Sequence, residues 1–271
     1  MLEALSLPFM QHALWAALLA AVCCGIVGTL VVANRMVFLA GGAAHAAYGG
    51  VGLAYFLALP VLPVAVAFTV GAALVMATVT LRHAEDTDTV IGVLWASGMA
   101  LGIILLDLCP GYKADLMSYL FGSIITVPVS DLLALFVLDG ALAAFAARYY
   151  NSLVAMAFDR EFAAVRGAPV TLLHYLLTAL AAVAVVLLVR VVGLILVIAL
   201  LTVAPSLAMR RCASLGRSML WATVLNMAFC LVGLWLAYRY DLTSGAAIIA
   251  VAATVFFLSL GMGMVRRRHR S

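Results

Sequence analysis

Charged residues are scarce in this sequence. Of its 271 residues, 10% are charged and 68% are hydrophobic, and Lys113 is the sole lysine. Soluble proteins carry about 25% charged and about 45–50% apolar residues, so the composition excludes a water-soluble enzyme. The chain must fold in a lipid bilayer.

Sequence motifs of ATPases and hydrolases are also missing. A P-loop, G-x-x-x-x-G-K-[ST], needs a lysine that contacts phosphate, and Lys113 does not lie in one. Neither H-E-x-x-H nor G-x-S-x-G occurs. The five cysteines have no C-x-x-C spacing, which argues against a zinc finger or a disulfide framework. We therefore expect a chain that is not an enzyme and has no resident cofactor, with any ATP hydrolysis on a separate partner chain.

Long apolar runs separated by short polar breaks fill almost the whole chain. A transmembrane helix needs about 20 residues to cross about 30 Å of hydrocarbon, and runs such as 183–189 do not alternate in polarity as β-barrel strands do. We predict one all-α domain over residues 1–271, a polytopic transmembrane helical bundle with eight or nine spans. Only Arg190 and Gly193 divide the sixth span from the seventh. The predicted spans are 12–32, 38–58, 61–81, 90–108, 131–148, 170–190, 193–209, 218–238 and 245–265.

Positive charges are distributed unevenly between the two ends of these spans. Short loops rich in Lys and Arg stay on the cytoplasmic side of a membrane. With nine spans, 12 of the 15 positive residues fall on one side, which predicts an external N-terminus and a cytoplasmic C-terminus. The basic tail, residues 266–270, then meets anionic lipid headgroups. The 12 residues are Arg35, Arg82, Arg148, Arg160, Arg166, Arg210, Arg211, Arg217, Arg266, Arg267, Arg268 and Arg270.

A histidine lies among small residues in the second predicted span. Gly41, Gly49 and Gly52 are four or seven residues from His45, so all four share one helix face. Another helix or a passing ion can approach such a face closely. Two interpretations stay open: a small-residue packing stripe with a hydrogen-bonded histidine, or a histidine in a permeation path.

Two further polar residues lie inside predicted spans. Asp139 is in the fifth span and Asn226 is in the eighth. Intramembrane polar residues are expensive to insert and are functional candidates by default. Each residue is either a local interhelical hydrogen-bonding group or part of a pathway.

A polar segment, residues 151–167, connects the fifth and sixth spans. Its apolar residues recur at helical spacing and charged residues lie between them, while Gly167 and Pro169 end the pattern. We predict a short amphipathic helix, which either lies on the lipid headgroups or docks into a groove of a cytoplasmic partner. The apolar residues are Val154, Phe158, Phe162 and Val165, and the charged ones are Asp159, Arg160, Glu161 and Arg166.

Several short motifs occur in order between residues 20 and 262. Together they resemble the motifs of the integral-membrane permeases of zinc-, manganese- and iron-type ABC importers. The third set below, D-L-x-S-x-L-F-G, is the most specific. The motifs are Asn34-Arg35-Met36 with Ala44-His45-Ala46; Glu85-Asp86 with Asp88, Ile91-Gly92 and Ala100-Leu101-Gly102; Asp115-Leu116-Met117-Ser118-Tyr119-Leu120-Phe121-Gly122 with Ser130-Asp131-Leu132; Phe158-Asp159 with Phe162-Ala163 and Gly167; Val192-Gly193 to Pro205; and Asp241-Leu242 with Ser244-Gly245.

The resemblance implies a homodimeric permease in a bacterial inner membrane. Its partners would be two cytoplasmic ATP-binding ABC subunits and an external solute-binding protein; no nucleic-acid partner is indicated. Residues 109–130 would form an external connection with a short helix. Residues 151–167 would be the cytoplasmic coupling helix, which contacts the ATPase through Phe158, Asp159, Glu161, Phe162, Ala163 and Gly167.

The resemblance also implies that His45 meets the metal ion transiently in the pathway, with Asp139 and Asn226 as further pathway candidates. The sequence departs from the family at two nearby positions. The family usually has an aspartate four residues before this histidine, and here that residue is Gly41. The family motif has a serine directly before the histidine, and here that residue is Ala44. Manganese depends more on oxygen ligands than zinc does, and zinc accepts imidazole readily. Zinc is therefore the expected substrate, ahead of manganese and iron.

The expected function is ATP-driven import of a divalent metal ion by alternating access. One alternative is a permease for a metal chelate of the siderophore or cobalamin type, although those permeases usually have about ten spans. A stand-alone channel or a membrane enzyme is the alternative from another functional class. Either of these would be active without an ATPase.

Overall fold

The computed structural model describes residues 8–82, 84–109 and 127–268. These residues form eleven α-helices and one short 3₁₀ helix at Ala84–Asp86, with no strand among them. The α-helices are α1 Pro8–Ala33, α2 Val37–Phe56, α3 Val61–Arg82, α4 Thr87–Leu108, α5 Val129–Arg148, α6 Tyr150–Phe158, α7 Arg160–Val165, α8 Val170–Val192, α9 Leu194–Met209, α10 Leu215–Tyr240 and α11 Ser244–Arg268.

Eight of these helices are long and apolar enough to cross a membrane: α1 to α5, α8, α10 and α11. The seventh predicted span, 193–209, corresponds to α9, which has 16 residues. At about 1.5 Å per residue it reaches about 24 Å, less than the hydrocarbon thickness. The predicted all-helical transmembrane fold is therefore confirmed, with eight full-length spans in the described part of the chain.

Gly193 separates α8 from α9. Its φ of +88° lies in a region that residues with a side chain rarely adopt. The chain can therefore end one helix at Val192 and begin the next at Leu194. This backbone turn is the physical basis of the weak break that the sequence shows there.

The centre of the bundle is formed by α1, α2 and α8, which are the most buried of the spans. Helix α2 packs against α3, α4 and α8, while α1 packs against α5, α9 and α10. The outer helices, including α4, α5, α10 and α11, leave large apolar side chains exposed. These exposed faces suit contact with lipid tails.

Helices α2 and α4 touch through their backbones. A Cβ atom added to Gly52 would lie 2.7 Å from the Cα atom of Gly102, and one added to Gly98 would lie 2.8 Å from the Cα atom of Ala46. Real Cβ atoms essentially never come this close to another heavy atom. This part of the glycine-rich face of α2 is thus a small-residue packing stripe.

The polar segment after α5 is divided into two helices, so the single amphipathic helix predicted over residues 151–167 is not observed. Asp159 has an extended backbone conformation, with φ −153° and ψ 109°. Its Oδ1 atom accepts a hydrogen bond of 2.9 Å from the backbone N–H of Phe162. Asp159 therefore ends α6 and caps α7, which is a common use of aspartate at a helix N-terminus.

The end of α7 follows the predicted stop signal. Gly167 has a φ of +81°. The backbone N–H of Gly167 donates to the carbonyl of Ala164, and that of Ala168 donates to the carbonyl of Ala163. This is a Schellman ending, which favours glycine at the left-handed position.

An ion pair joins α5 to α8 at the opposite end of the bundle from α7. The Nη2 atom of Arg190 lies 3.1 Å from Oδ2 of Asp131, whose side chain is buried. Asp131 is in the first turn of α5 and Arg190 is in the last turn of α8. Both charges therefore also interact favourably with the dipole of their own helix.

We predict that Gly102→Ala lowers stability while Gly92→Ala does not. The added methyl of Gly102→Ala would lie 2.7 Å from the carbonyl carbon of Tyr48, whereas a Cβ at Gly92 meets nothing within 4 Å. Overpacking typically costs about 1–3 kcal/mol, and alanine otherwise favours a helix by about 1 kcal/mol over glycine. Both residues lie in α4. Thermal unfolding of the two variants in the same detergent measures the difference, and equal melting temperatures would contradict the close contact.

Candidate functional site

His45 lies in the middle of α2 and is 9% exposed. Its Nδ1 atom is 2.9 Å from the backbone carbonyl oxygen of Gly41. A carbonyl oxygen only accepts hydrogen bonds, so this contact places the imidazole proton on Nδ1. The Nε2 atom then carries the lone pair, which is the arrangement found in metal-binding histidines.

Trp95 of α4 covers one face of the His45 ring. The two ring centroids are 3.8 Å apart and the ring planes are inclined by 33°. Phe38 of α2 also packs against Trp95, with ring centroids 6.1 Å apart. The stacking and the bond to Gly41 together fix the orientation of the imidazole.

The sequence motifs did not single out Trp95. One signal could have found it: Trp95 lies three and seven residues before Gly98 and Gly102, on the same face of α4. Those two glycines contact α2. A large aromatic residue one turn away on the contacting face must therefore meet α2 close to His45.

Open space lies beside His45 at Gly41. A Cβ atom added to Gly41 meets nothing within 4 Å, whereas one added to Gly42 would lie 2.7 Å from the side chain of Ile91. The two neighbouring glycines thus have different surroundings. The turn of α2 before His45 therefore borders open space. Gly41, where the family motif has an aspartate, faces that space.

Asp139 and Asn226 are not brought to His45. Asp139 is buried in α5 next to Cys23 and Cys24 of α1. Asn226 in α10 donates a hydrogen bond of 3.2 Å from Nδ2 to the backbone carbonyl of Leu200 in α9. Asn226 thus makes an interhelical hydrogen bond, which is one of the two roles that the sequence allowed. Asp139 lies between α5 and α1, whereas Asn226 lies between α10 and α9.

Clusters of metal ligands are absent from the part of the chain that the structure describes, where no three His, Cys, Asp or Glu side chains converge. Zinc in a stable protein site normally has four ligands in tetrahedral geometry. The imidazole of His45 would supply only one of these four ligands. The surroundings of His45 therefore suit a brief contact with an ion rather than permanent storage of one.

Helices α6 and α7 together form the segment for which the positive charges predict a cytoplasmic position. This cytoplasmic segment exposes apolar side chains. Phe158 is 88% exposed, Phe162 is 52% exposed and Val165 is 87% exposed. Asp159 and Glu161 are exposed beside them, whereas Ala163 is buried against the bundle. An exposed apolar group of this kind, rimmed by charge, is typical of a protein interaction surface.

Two side-chain hydrogen bonds attach the cytoplasmic segment to the spans. The hydroxyl of Tyr150 accepts a bond of 3.0 Å from the backbone N–H of Gly216 at the start of α10. The Nη2 atom of Arg160 lies 3.0 Å from Nδ1 of His174 in α8. Partial burial lowers the pKa of the Arg160 guanidinium from its ordinary value. The sequence offered no pattern that links Arg160 to His174, since they are held together only by the fold.

One set of predicted site residues lies outside the described residues. The D-L-x-S-x-L-F-G run, and with it the short helix predicted within residues 109–130, falls largely in residues 110–126.

The sequence and the fold match known membrane transport proteins over nearly their whole length. The model of the ABC 3 transport family matches residues 6–263. An uncharacterized membrane protein of Synechocystis sp. is 45% identical over 260 residues, which cover 96% of this chain and 92% of that protein.

One further relative carries a functional description, and one solved structure matches the fold. The manganese transport system membrane protein MntC of Halalkalibacterium halodurans is 31% identical, with 95% of this chain and 88% of that protein covered. The structure of PsaBC from Streptococcus pneumoniae in complex with Fab superposes with a TM-score of 0.85 at 28% identity, with 95% of this chain and 93% of that chain covered. The resemblance drawn from the sequence motifs is thereby confirmed: this chain belongs to the ABC 3 transport family and is a membrane permease subunit, not an enzyme.

Proposed function

We propose that this permease imports a divalent metal ion, with zinc as the preferred substrate, by ATP-driven alternating access. The observation that carries the proposal is the geometry of His45. Its Nδ1 atom is engaged by the carbonyl of Gly41, which leaves the Nε2 lone pair for an ion, and open space borders the same turn of α2. A relative described as a manganese transport protein supports a metal substrate.

The choice of zinc follows from the imidazole of His45, which is present, and from a carboxylate at position 41, which is missing. Imidazole suits zinc, whereas manganese favours carboxylate and carbonyl oxygen. Position 41, one turn before His45, has no carboxylate in this chain because it is glycine. A pathway with imidazole and without the neighbouring carboxylate favours zinc over manganese or iron.

The complete transporter would be a homodimer of this chain with two cytoplasmic ATP-binding subunits and an external solute-binding protein. Among the described residues of one copy, no three possible metal ligands converge, so His45 would act alone. A second copy facing it across a shared pathway would supply another imidazole. The positive charges would place the N-terminus outside and the C-terminus in the cytoplasm of a bacterial inner membrane. This orientation needs an odd number of crossings, so the short helix α9 would cross the membrane as a ninth span.

The cytoplasmic segment would be the docking site for the ATPase. Its exposed residues Phe158, Phe162 and Val165 offer an apolar surface that no other described part of this chain covers. Asp159, Glu161 and Gly167 shape that surface, because Asp159 caps α7 and Gly167 ends it. Closure of the ATP-bound partner subunits would then move this segment and the spans attached to it.

A metal chelate is the second candidate substrate. The space beside Gly41 favours it, since a larger ligand needs room that a side chain would fill. The eight full-length spans favour the ion, since chelate permeases usually have about ten. The metal content of cells distinguishes the two.

We predict that His45→Ala strongly lowers import while the protein stays in the membrane. A deletion strain is grown under mild chelation and complemented with wild type, His45→Ala or the control His12→Ala, and whole-cell metals are measured by mass spectrometry. We expect selective loss of zinc in the deletion strain and in His45→Ala, with initial uptake reduced about tenfold or more. Loss of manganese instead would overturn the choice of zinc. Loss of iron or cobalt in place of zinc and manganese would favour a chelate. Unchanged metals in the deletion strain would count against metal import.

We predict that Gly41→Asp shifts selectivity towards manganese. The new carboxylate would enter open space one turn from His45, where it adds the oxygen ligand that manganese favours. A change of about 1 kcal/mol in relative affinity corresponds to about fivefold in the manganese-to-zinc uptake ratio. Gly41→Asn is the matched control, because it has the same size without the charge. Equal uptake ratios in the two variants would show that position 41 does not face the ion.

We predict that Phe162→Asp prevents the ATP-binding subunit from binding. A charge in the exposed apolar surface of the cytoplasmic segment would require desolvation on docking. Leu242→Asp is the matched control, since Leu242 is 56% exposed, close to the 52% of Phe162, and lies in the turn between α10 and α11. Co-purification with the tagged ATP-binding subunit measures the effect. Retention of the subunit by Phe162→Asp would exclude this surface from docking.

A further inference from the structure

The two hydrogen bonds that hold the cytoplasmic segment lead to different parts of the bundle. The bond from Tyr150 reaches α10, whose main neighbours are α1, α9 and α11. The bond from Arg160 reaches α8, which packs against α2 and α3. Since α2 carries His45, the Arg160 contact lies on the shorter route from the cytoplasmic segment to the candidate ion position.

The contact between the half-buried Arg160 and the buried His174 fixes the proton on the imidazole. Arginine has only donors, so Nδ1 of His174 must accept. The proton then lies on Nε2, which is buried and has no hydrogen-bond partner among the described residues. A buried donor without a partner is costly. The arrangement is therefore poorly explained as a device for stability alone.

A second contact continues the route one residue further along α8. The hydroxyl of Tyr175 lies 3.0 Å from Oγ1 of Thr78 in α3. Helix α3 packs along α2. A displacement of α7 relative to the bundle would thus pull first on His174, and α8 would carry the movement to α3 and α2.

We propose that the contact between Arg160 and His174 transmits movement of the cytoplasmic segment to the helices around His45, so that these two are positioning residues for coupling. The proposal rests on the proposed function, because it needs an ATPase that moves the segment. A purely structural anchor is the competing explanation. The two explanations differ in what happens to the number of ions moved per ATP hydrolysed.

The variants separate hydrogen bonding from size and charge. Arg160→Met and His174→Leu each remove one partner, whereas Arg160→Lys keeps a charged donor and His174→Asn keeps an acceptor close to the position of Nδ1. The double variant Arg160→Met with His174→Leu removes both partners and leaves no stranded charge. Tyr150→Phe is the matched control, because it removes the other bond that holds the cytoplasmic segment.

The experiment uses the permease co-purified with its ATP-binding subunit and reconstituted in proteoliposomes with its solute-binding protein. Uptake of radioactive zinc, with radioactive manganese in a parallel series, and release of phosphate are measured in the same vesicles. We expect Arg160→Met and His174→Leu to assemble with the ATPase and to move about fivefold fewer ions per ATP. Arg160→Lys, His174→Asn and Tyr150→Phe should keep a ratio close to that of wild type. The double variant should resemble the single variants, because they interrupt the same contact.

Each result has a distinct meaning. An unchanged ratio in Arg160→Met and His174→Leu, with wild type active, would overturn the transmission role and leave the proposed function intact. A loss of assembled complex in both, with a normal ratio in the fraction that remains, would identify a structural anchor and would also overturn the proposal. If wild type itself shows no ATP-dependent uptake of either metal, the proposed function fails and this inference fails with it.

Discussion

The backbone contact between α2 and α4 decides where the candidate ion position lies. Gly52 and Gly102 bring the two helices so close that neither position has room for a methyl group. The tryptophan on the same face of α4 is thereby placed over the imidazole of His45 at a ring distance of 3.8 Å. Because lipid tails are as apolar as the helix surfaces, close packing of small residues replaces the hydrophobic effect in holding such a pair together. The orientation of the imidazole depends on this contact.

Helix α8 connects the two ends of the bundle. Near one end Arg190 pairs with the buried carboxylate of Asp131 in α5, and near the other His174 accepts a hydrogen bond from Arg160 in α7. Polar contacts thus tie the largely buried α8 to α5 at one end and to α7 at the other. Between the ends, apolar packing against α2 and α3 ties the helix to the candidate pathway.

The glycine-rich face of α2 has two halves that are packed differently. Gly49 and Gly52 lie against α4, so the packing interpretation describes that half of the face. Gly41 meets nothing within 4 Å, so the half next to the carbonyl that orients His45 stays open. A helix with a 3.6-residue period can thus present closely packed glycines on one turn and an accessible glycine on another, although all of them share one pattern in the sequence.

The spans and the family could be predicted from the amino-acid order alone. The limits of the spans follow from the cost of leaving backbone groups unpaired in hydrocarbon, which requires apolar runs of about 20 residues to form helices. Local signals in the sequence also indicated His45 and the stop at Gly167. The break at Asp159, the stacking of Trp95 and the bond between Arg160 and His174 became known only from the fold. A backbone break between two helical conformations and contacts between distant side chains depend on how helices pack, and small residues are too frequent in this chain for spacing alone to specify that packing.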